Sequence, residues 1–138
     1  MTKLLASREA LLMLPIAVLL GIIAWRFPAF VAPSNLVNVF NDTSPLILLA
    51  IGQMIVILTK CIDLSVAANL ALTGMVVSLV NIAAPGLPVI FIVLIAIGFG
   101  TLLGMFNGIL VWKLAIPPIV VTLGTMTIFR GIIFLLTE

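Results

Sequence analysis

Histidine and tyrosine are absent from this 138-residue chain, cysteine occurs once, and only ten side chains are charged. Each shortage excludes a chemistry. Without histidine there is no imidazole base and no imidazole ligand for a metal. Cys61 alone makes neither an internal disulfide nor a multi-cysteine metal site. No GxxxxGKS/T loop cradles nucleotide phosphates, and no GxSxG elbow presents a nucleophilic serine. The chain therefore does not read as an enzyme acting alone, and no metal or cofactor is expected.

What is abundant is apolar. Hydrophobic residues make up 64% of the chain and charged residues 7%, against about 25% charged in an average globular domain. Mean hydropathy is +1.51. A soluble globule of this composition lacks the polar side chains to face water. A disordered chain needs the opposite bias. The expected fold class is all-α, a polytopic transmembrane helix bundle within a single domain spanning 1–138. The net charge of +2 is scattered, so it is not the clustered basic face that nucleic acid requires. Its use is to orient the chain in the bilayer.

The charges punctuate the spans. Uncharged runs cover Ala10–Trp25, Thr43–Thr59, Leu64–Trp112 and Leu114–Phe129. The third run has 49 residues, roughly 74 Å as one helix, whereas the hydrocarbon core is about 30 Å thick. It must hold two crossings. Ala84-Pro85-Gly86-Leu87-Pro88 supplies the turn between them. Five spans follow, at 10–27, 44–59, 64–82, 89–112 and 115–136. Backbone groups in lipid must be satisfied internally, so each span should be a helix. The runs do not alternate as barrel strands would.

The first span follows Lys3 and Arg8, as a signal peptide would, but Arg26-Phe27-Pro28-Ala29-Phe30 offers no small-x-small cleavage site. It reads as an uncleaved first helix. The stretch from Arg26 to Ser44, with its prolines, asparagines and Asp42, is expected as a polar loop. Ser34 is expected to cap a short interfacial helix inside it. With the N-terminus in the cytoplasm, Lys3, Arg8, Lys60 and Lys113 lie inside and Arg26 outside. The positive-inside rule favours that orientation.

Three segments carry candidate function. In Lys60-Cys61-Ile62-Asp63-Leu64-Ser65, Lys60 and Asp63 have the spacing of a pair on one helical turn. Asp63 and Ser65 suit the start of the third helix. Lys60, Asp63 and Ser65 are either a helix cap or a gate, since ionisable groups at membrane depth are functional candidates. In the fourth span, Ala96, Gly100, Gly104 and Gly108 recur every four residues. That small-residue stripe lets another helix approach closely. Asn107 beside it either bonds across a helix interface or lines a pathway. In the fifth span, Pro118 fits the first helical turn. Gly124 is counted with the packing residues. Thr122, Thr125 and Thr127 supply hydroxyls that either bond their own helix or line a path. Arg130 is open to two placements: the outer interface or the bundle interior. Gln53 and Asn69 are expected to join helices. The substrate-pathway candidates are Asn69, Asn107, Thr122 and Thr125.

These segments carry a resemblance. Cys61-Ile62-Asp63-Leu64-Ser65-Val66, followed by Leu70-Ala71-Leu72-Thr73-Gly74, resembles the GIDLSVG…ALTG stretch of bacterial ABC-transporter permeases of the ribose type. Gly104-Met105-Phe106-Asn107-Gly108 resembles their GxxNG segment, and Ile116 to Met126 resembles IPPFIVTLGT, ending at Arg130-Gly131. Order and spacing agree over nearly the whole chain, most weakly before residue 40. Cys61 and Ala67-Ala68 depart from the usual Gly and Gly-Ser. The Cys61–Asn69 form looks most like rhamnose-type members.

The resemblance implies a permease subunit of an ATP-driven importer in the bacterial inner membrane. It would carry rhamnose, ribose or a similar sugar, or autoinducer-2. Implied partners are a second permease subunit in a homo- or heterodimer, two ATP-binding subunits that hydrolyse ATP, and a periplasmic sugar-binding protein. Such permeases are roughly twice this length, so the chain looks like the N-terminal half. The rival expectation is a truncated, non-transporting remnant or an assembly fragment needing the C-terminal half. A small channel or proton-coupled carrier is disfavoured, because only Asp42 and Asp63 offer carboxylates near the membrane.

Overall fold

The computed structural model describes residues 8–137, with side chains from Ala10 onward. Lys3 and Glu138 lie outside the described residues. The helices are α1 (Arg8–Arg26), α2 (Pro33–Leu58), α3 (Val66–Ala83), α4 (Val89–Leu114) and α5 (Pro118–Thr137), with a 3-10 turn at Pro28–Val31. No strand occurs among the described residues. The all-α expectation holds. Helices α2 to α5 are long and apolar enough to cross a membrane, while the apolar part of α1, Ala10–Arg26, is shorter.

The chain divides into two compact units, Met1–Leu48 and Leu49–Glu138. In the first, α1 ends where Phe27 N–H reaches the Ile23 carbonyl at 2.8 Å. Arg26 sits 5.0 Å over the Phe27 ring. Asn35 Nδ2 then donates to the Phe30 carbonyl at 2.8 Å and ties the 3-10 turn to the start of α2.

Here the expected polar loop and short helix are corrected. One continuous helix starts at Pro33. Proline fits the first helical position because its missing N–H is unneeded there. The Ala32 carbonyl takes the Leu36 N–H at 3.0 Å. Ser34 lies inside the first turn and is not the cap. Pro45 sits within the helix and leaves the Asn41 carbonyl without its N–H. Ser44 Oγ donates to that carbonyl at 3.0 Å, so the helix continues.

In the second unit, α3 packs against both α4 and α5, which also touch each other. Ala68, Leu72 and Phe129 form the buried cluster, flanked by Val76, Phe99, Leu103, Met126 and Ile133. In α4, burial is inverted relative to a soluble protein. The only buried residue of α4 is Asn107, while Leu94, Ile97, Leu102 and Phe106 are exposed. Apolar groups outside and amides inside suit a helix surrounded by hydrocarbon.

The turns follow local chemistry. Pro85-Gly86 is closed by the Leu87 N–H on the Ala84 carbonyl at 3.0 Å. Helix α4 is stopped by the next residue, Ala115, which is left-handed with φ 51°. Two residues past the end of α2, Lys60 is also left-handed, with φ 60°. There Cys61 N–H reaches the Val56 carbonyl at 3.3 Å and Lys60 N–H the Ile57 carbonyl at 2.8 Å. That pair of bonds is a Schellman cap. Pro118 opens α5 as expected.

Candidate functional site

The site lies where two linkers meet at one end of the second unit. One joins α2 to α3, the other α4 to α5. Asp63 stands in the first linker. Its Oδ1 accepts both the Ser65 N–H and the Ser65 hydroxyl, each at 2.7 Å. This is an Asx turn at Ser65, the residue before α3, and it sets the carboxylate near the positive end of that helix's dipole. Gln53 Nε2 donates to the Asp63 carbonyl at 3.2 Å and fastens the linker to α2. Thr122 Oγ1, on α5, lies 3.4 Å from both the Ile62 and Ile119 carbonyls.

Asn107 completes the network from α4. Its Nδ2 donates to Ser65 Oγ at 2.8 Å. The orientation of this amide follows from proton bookkeeping. Ser65 has one hydroxyl proton, and the acceptor-only carboxylate of Asp63 takes it. Towards Asn107, Ser65 can only accept, so the amide nitrogen must face it. Asn107 Oδ1 is then left buried with no hydrogen-bond partner. The residue is 5% exposed and Ser65 0%. An unmet buried acceptor calls for a physical account, because such a group carries its full desolvation cost.

Beside this network is a cavity of about 210 Å³. Its polar wall is Thr59, Cys61, Asp63, Asn107 and Thr122, its apolar wall Val56, Ile62, Val111 and Pro118, with Gly104 and Gly108 between them.

The structure sorts the sequence candidates. Asn107, Thr122 and Asp63 come together at the cavity, with Ser65 behind them. Asn69 and Thr125 do not. Asn69 Nδ2 donates to the Gly100 carbonyl at 3.3 Å and joins α3 to α4. Thr73 supports that amide at 3.1 Å. Thr125 bonds its own helix at Val121 and Thr122. Lys60 and Asp63 share no helical turn, because the Schellman cap at Lys60 ends α2 before Asp63. Arg130 is exposed, next to buried Phe129.

The glycine stripe is not continuous packing. A Cβ at Gly100 would meet Thr73 Oγ1 at 3.6 Å and Asn69 Oδ1 at 3.8 Å. One at Gly104, Gly108 or Gly124 would meet nothing within 4 Å. Ala96 is half-buried. So one end of the stripe seats α3, while Gly104 and Gly108 leave the cavity open. Sequence reasoning missed Val56, Thr59 and Val111. Helical spacing could have found Val111, which continues the face of Gly104, Asn107 and Gly108 at a further three to four residues.

Residues 35–138 match the family model described as branched-chain amino acid transport system / permease component. An autoinducer 2 import system permease protein of Enterobacter sp. (strain 638) is 39% identical over 137 residues, 99% of this chain and 39% of the relative. A ribose import permease protein of Haemophilus influenzae is 37% identical over 122 residues, 88% of this chain and 37% of that one. A galactofuranose transporter permease protein of Escherichia coli (strain K12) is 43% identical over 101 residues, 73% and 29% respectively. This chain thus spans about two-fifths of the first relative's length, rather than half. No solved structure matches.

Proposed function

Because the chain belongs to the family of branched-chain amino acid transport system permease components, we propose that it is the N-terminal membrane portion of a sugar importer's permease. Similarity across 99% of this chain to an autoinducer 2 import permease carries the reading. The cavity supports a sugar over the amino acid of the family description. A zwitterionic ligand brings a carboxylate that wants a cationic partner. The cavity is lined by one carboxylate, Asp63, and by no lysine or arginine. A neutral monosaccharide such as rhamnose or ribose makes no such demand.

In this reading the permease is not itself an enzyme. Two separate subunits hydrolyse ATP, a second permease subunit completes the path, and a periplasmic protein delivers sugar. The membrane is the bacterial inner membrane. Lys60 and Lys113 sit at the linker end of the second unit, which under the positive-inside rule supports a cytoplasmic side for that end and the cavity. ATP can drive transport only by favouring one helix packing over another. The pathway residues of this portion are Asn107, Thr122 and Asp63.

A second reading, a fragment that needs the remaining length to transport, is favoured by the two-fifths coverage. Complementation decides between them. In cells lacking a ribose or rhamnose permease, uptake of labelled sugar is expected when this chain is expressed with a separately encoded C-terminal remainder. No uptake with the remainder present overturns the transport reading. Uptake with this chain alone overturns the fragment reading.

A further inference from the structure

Two opposite charges within the spans are left over. Asp42 on α2 and Arg130 on α5 are both exposed, and neither side chain has a hydrogen bond or ion pair among the described residues. Val56, Thr59 and Pro118 line one cavity, so the end of α2 and the start of α5 are level. Counted from there, Arg130 is 12 residues in from Pro118, about 18 Å, and Asp42 is 16 residues in from Leu58, about 24 Å. The hydrocarbon core is about 30 Å thick, so both charges fall inside it. A charge at such depth is costly unless it is paired.

The faces that carry them are free. On α5 the buried residues Val121, Thr122, Thr125 and Phe129 are turned into the bundle. Leu123, Thr127 and Arg130, at intervals of four and three, take the opposite, exposed side. Helix α2 buries no residue, and its Asp42, Leu49 and Gly52 share one face. Two copies inserted the same way hold these faces in register. Leu49 and Thr127 each lie nine residues from the linker end, and Gly52 and Gly124 each lie six. A Cβ at either glycine would meet nothing within 4 Å. The remaining step between Asp42 and Arg130, about 6 Å, is bridged by the long arginine stem. Pairing α5 with α5 would instead set Arg130 against Arg130.

We propose that the exposed face of α5 docks α2 of a second copy of this chain, with Arg130 ion-paired to Asp42 of the partner subunit. Two-fold symmetry repeats the contact, so one dimer settles all four charges. The proposal rests on the permease reading and names the faces and the charge pair through which the second permease subunit joins. It does not depend on the sugar carried.

Cross-linking between copies tests it. In a Cys61→Ser background, Leu49→Cys and Thr127→Cys are placed in differently tagged copies, co-expressed in a bacterial membrane and oxidised with copper phenanthroline. A disulfide joining the two tags is expected. Leu94→Cys, exposed on α4, is expected to give none in place of Thr127→Cys. Asp42→Arg in both copies, or Arg130→Asp in both, turns two attractions into repulsions and is expected to lower the cross-linked fraction about tenfold. Mixing an Asp42→Arg copy with an Arg130→Asp copy is expected to restore it, because both contacts of that dimer again pair opposite charges.

A disulfide that forms equally well in every charge variant overturns the proposal. So does one that never joins two copies, or one that forms only within a single chain carrying both cysteines. Loss in each reversal with no recovery on mixing also overturns it. Uptake by a chain whose copies never cross-link removes the interface and leaves the transport reading standing. Cross-linking with recovery in a chain that never supports uptake does the reverse.

Discussion

Replacing Ser65 by alanine tests the network at its centre. Ser65 is fully buried and joins the Asp63 carboxylate to the Asn107 amide. The substitution removes two side-chain hydrogen bonds, while Asp63 keeps the backbone N–H. Hydrogen bonds between membrane helices average about 0.6 kcal/mol and reach about 1.7, and a buried amide left without a partner costs about 1–3 kcal/mol. With both ends of the Asn107 amide then unmet, Ser65→Ala is expected to cost about 2 kcal/mol. Asn107→Leu should behave differently. It gives up one bond but removes the orphaned Oδ1, so its cost is expected near zero. In the double variant the cost of Ser65→Ala should fall to about 1 kcal/mol, because no amide remains to be stranded. The assay is unfolding in mixed micelles by dodecyl sulfate, followed by circular dichroism and extrapolated linearly. An Asn107→Leu variant as destabilised as Ser65→Ala would refute the orientation of the amide and the account of its unpaired oxygen.

Other outcomes follow from the packing. Leu72→Ala, in the buried cluster with Ala68 and Phe129, should cost about 2 kcal/mol in the same assay, the cavity part of a core truncation without much transfer term. Gly100→Leu should cost about 2 kcal/mol because its side chain must displace Thr73 and Asn69. Gly104→Leu should be stable to within about 1 kcal/mol, since it enters open space and gains helix propensity. In a Cys61→Ser background, Gly86→Cys should react with an impermeant maleimide from the periplasmic side and Lys113→Cys only after the membrane is permeabilised. The reverse pattern would invert the topology.

Hydrophobic runs and charges were enough to read five helices and the Pro85 turn from the residues. The start of α2 was not legible in that way. Asn35, Asn38, Asn41 and Asp42 look like loop chemistry, and Pro45 like a boundary. Proline at the first turn and a serine hydroxyl substituting for a missing N–H keep the helix intact. Both are geometric repairs that composition does not show. At the site, Asp63, Asn107 and Thr122 were legible as rare polar groups in apolar surroundings. Their separation from Asn69 and Thr125 was not. All five are polar residues of the same segments, and only the rotation of each helix decides which face a cavity and which bond backbone. Lys60 misled because spacing assumes a continuous helix, whereas its left-handed conformation ends one.

The short third helix has a consequence for how the chain enters the bilayer. At 18 residues it is the shortest of the four spans, about 27 Å long, and it carries Asn69 in its first turn and Thr73 near its middle, with Ser65 just before its start. The partners that join Asn69 and Ser65 to another helix, the Gly100 carbonyl and the Asn107 amide, both belong to α4, which is synthesised later. During translation α3 therefore waits with unmet polar groups until α4 arrives. Insertion of this pair is a joint event, and a nascent chain stopped at the Pro85 turn holds α3 less firmly than the finished one.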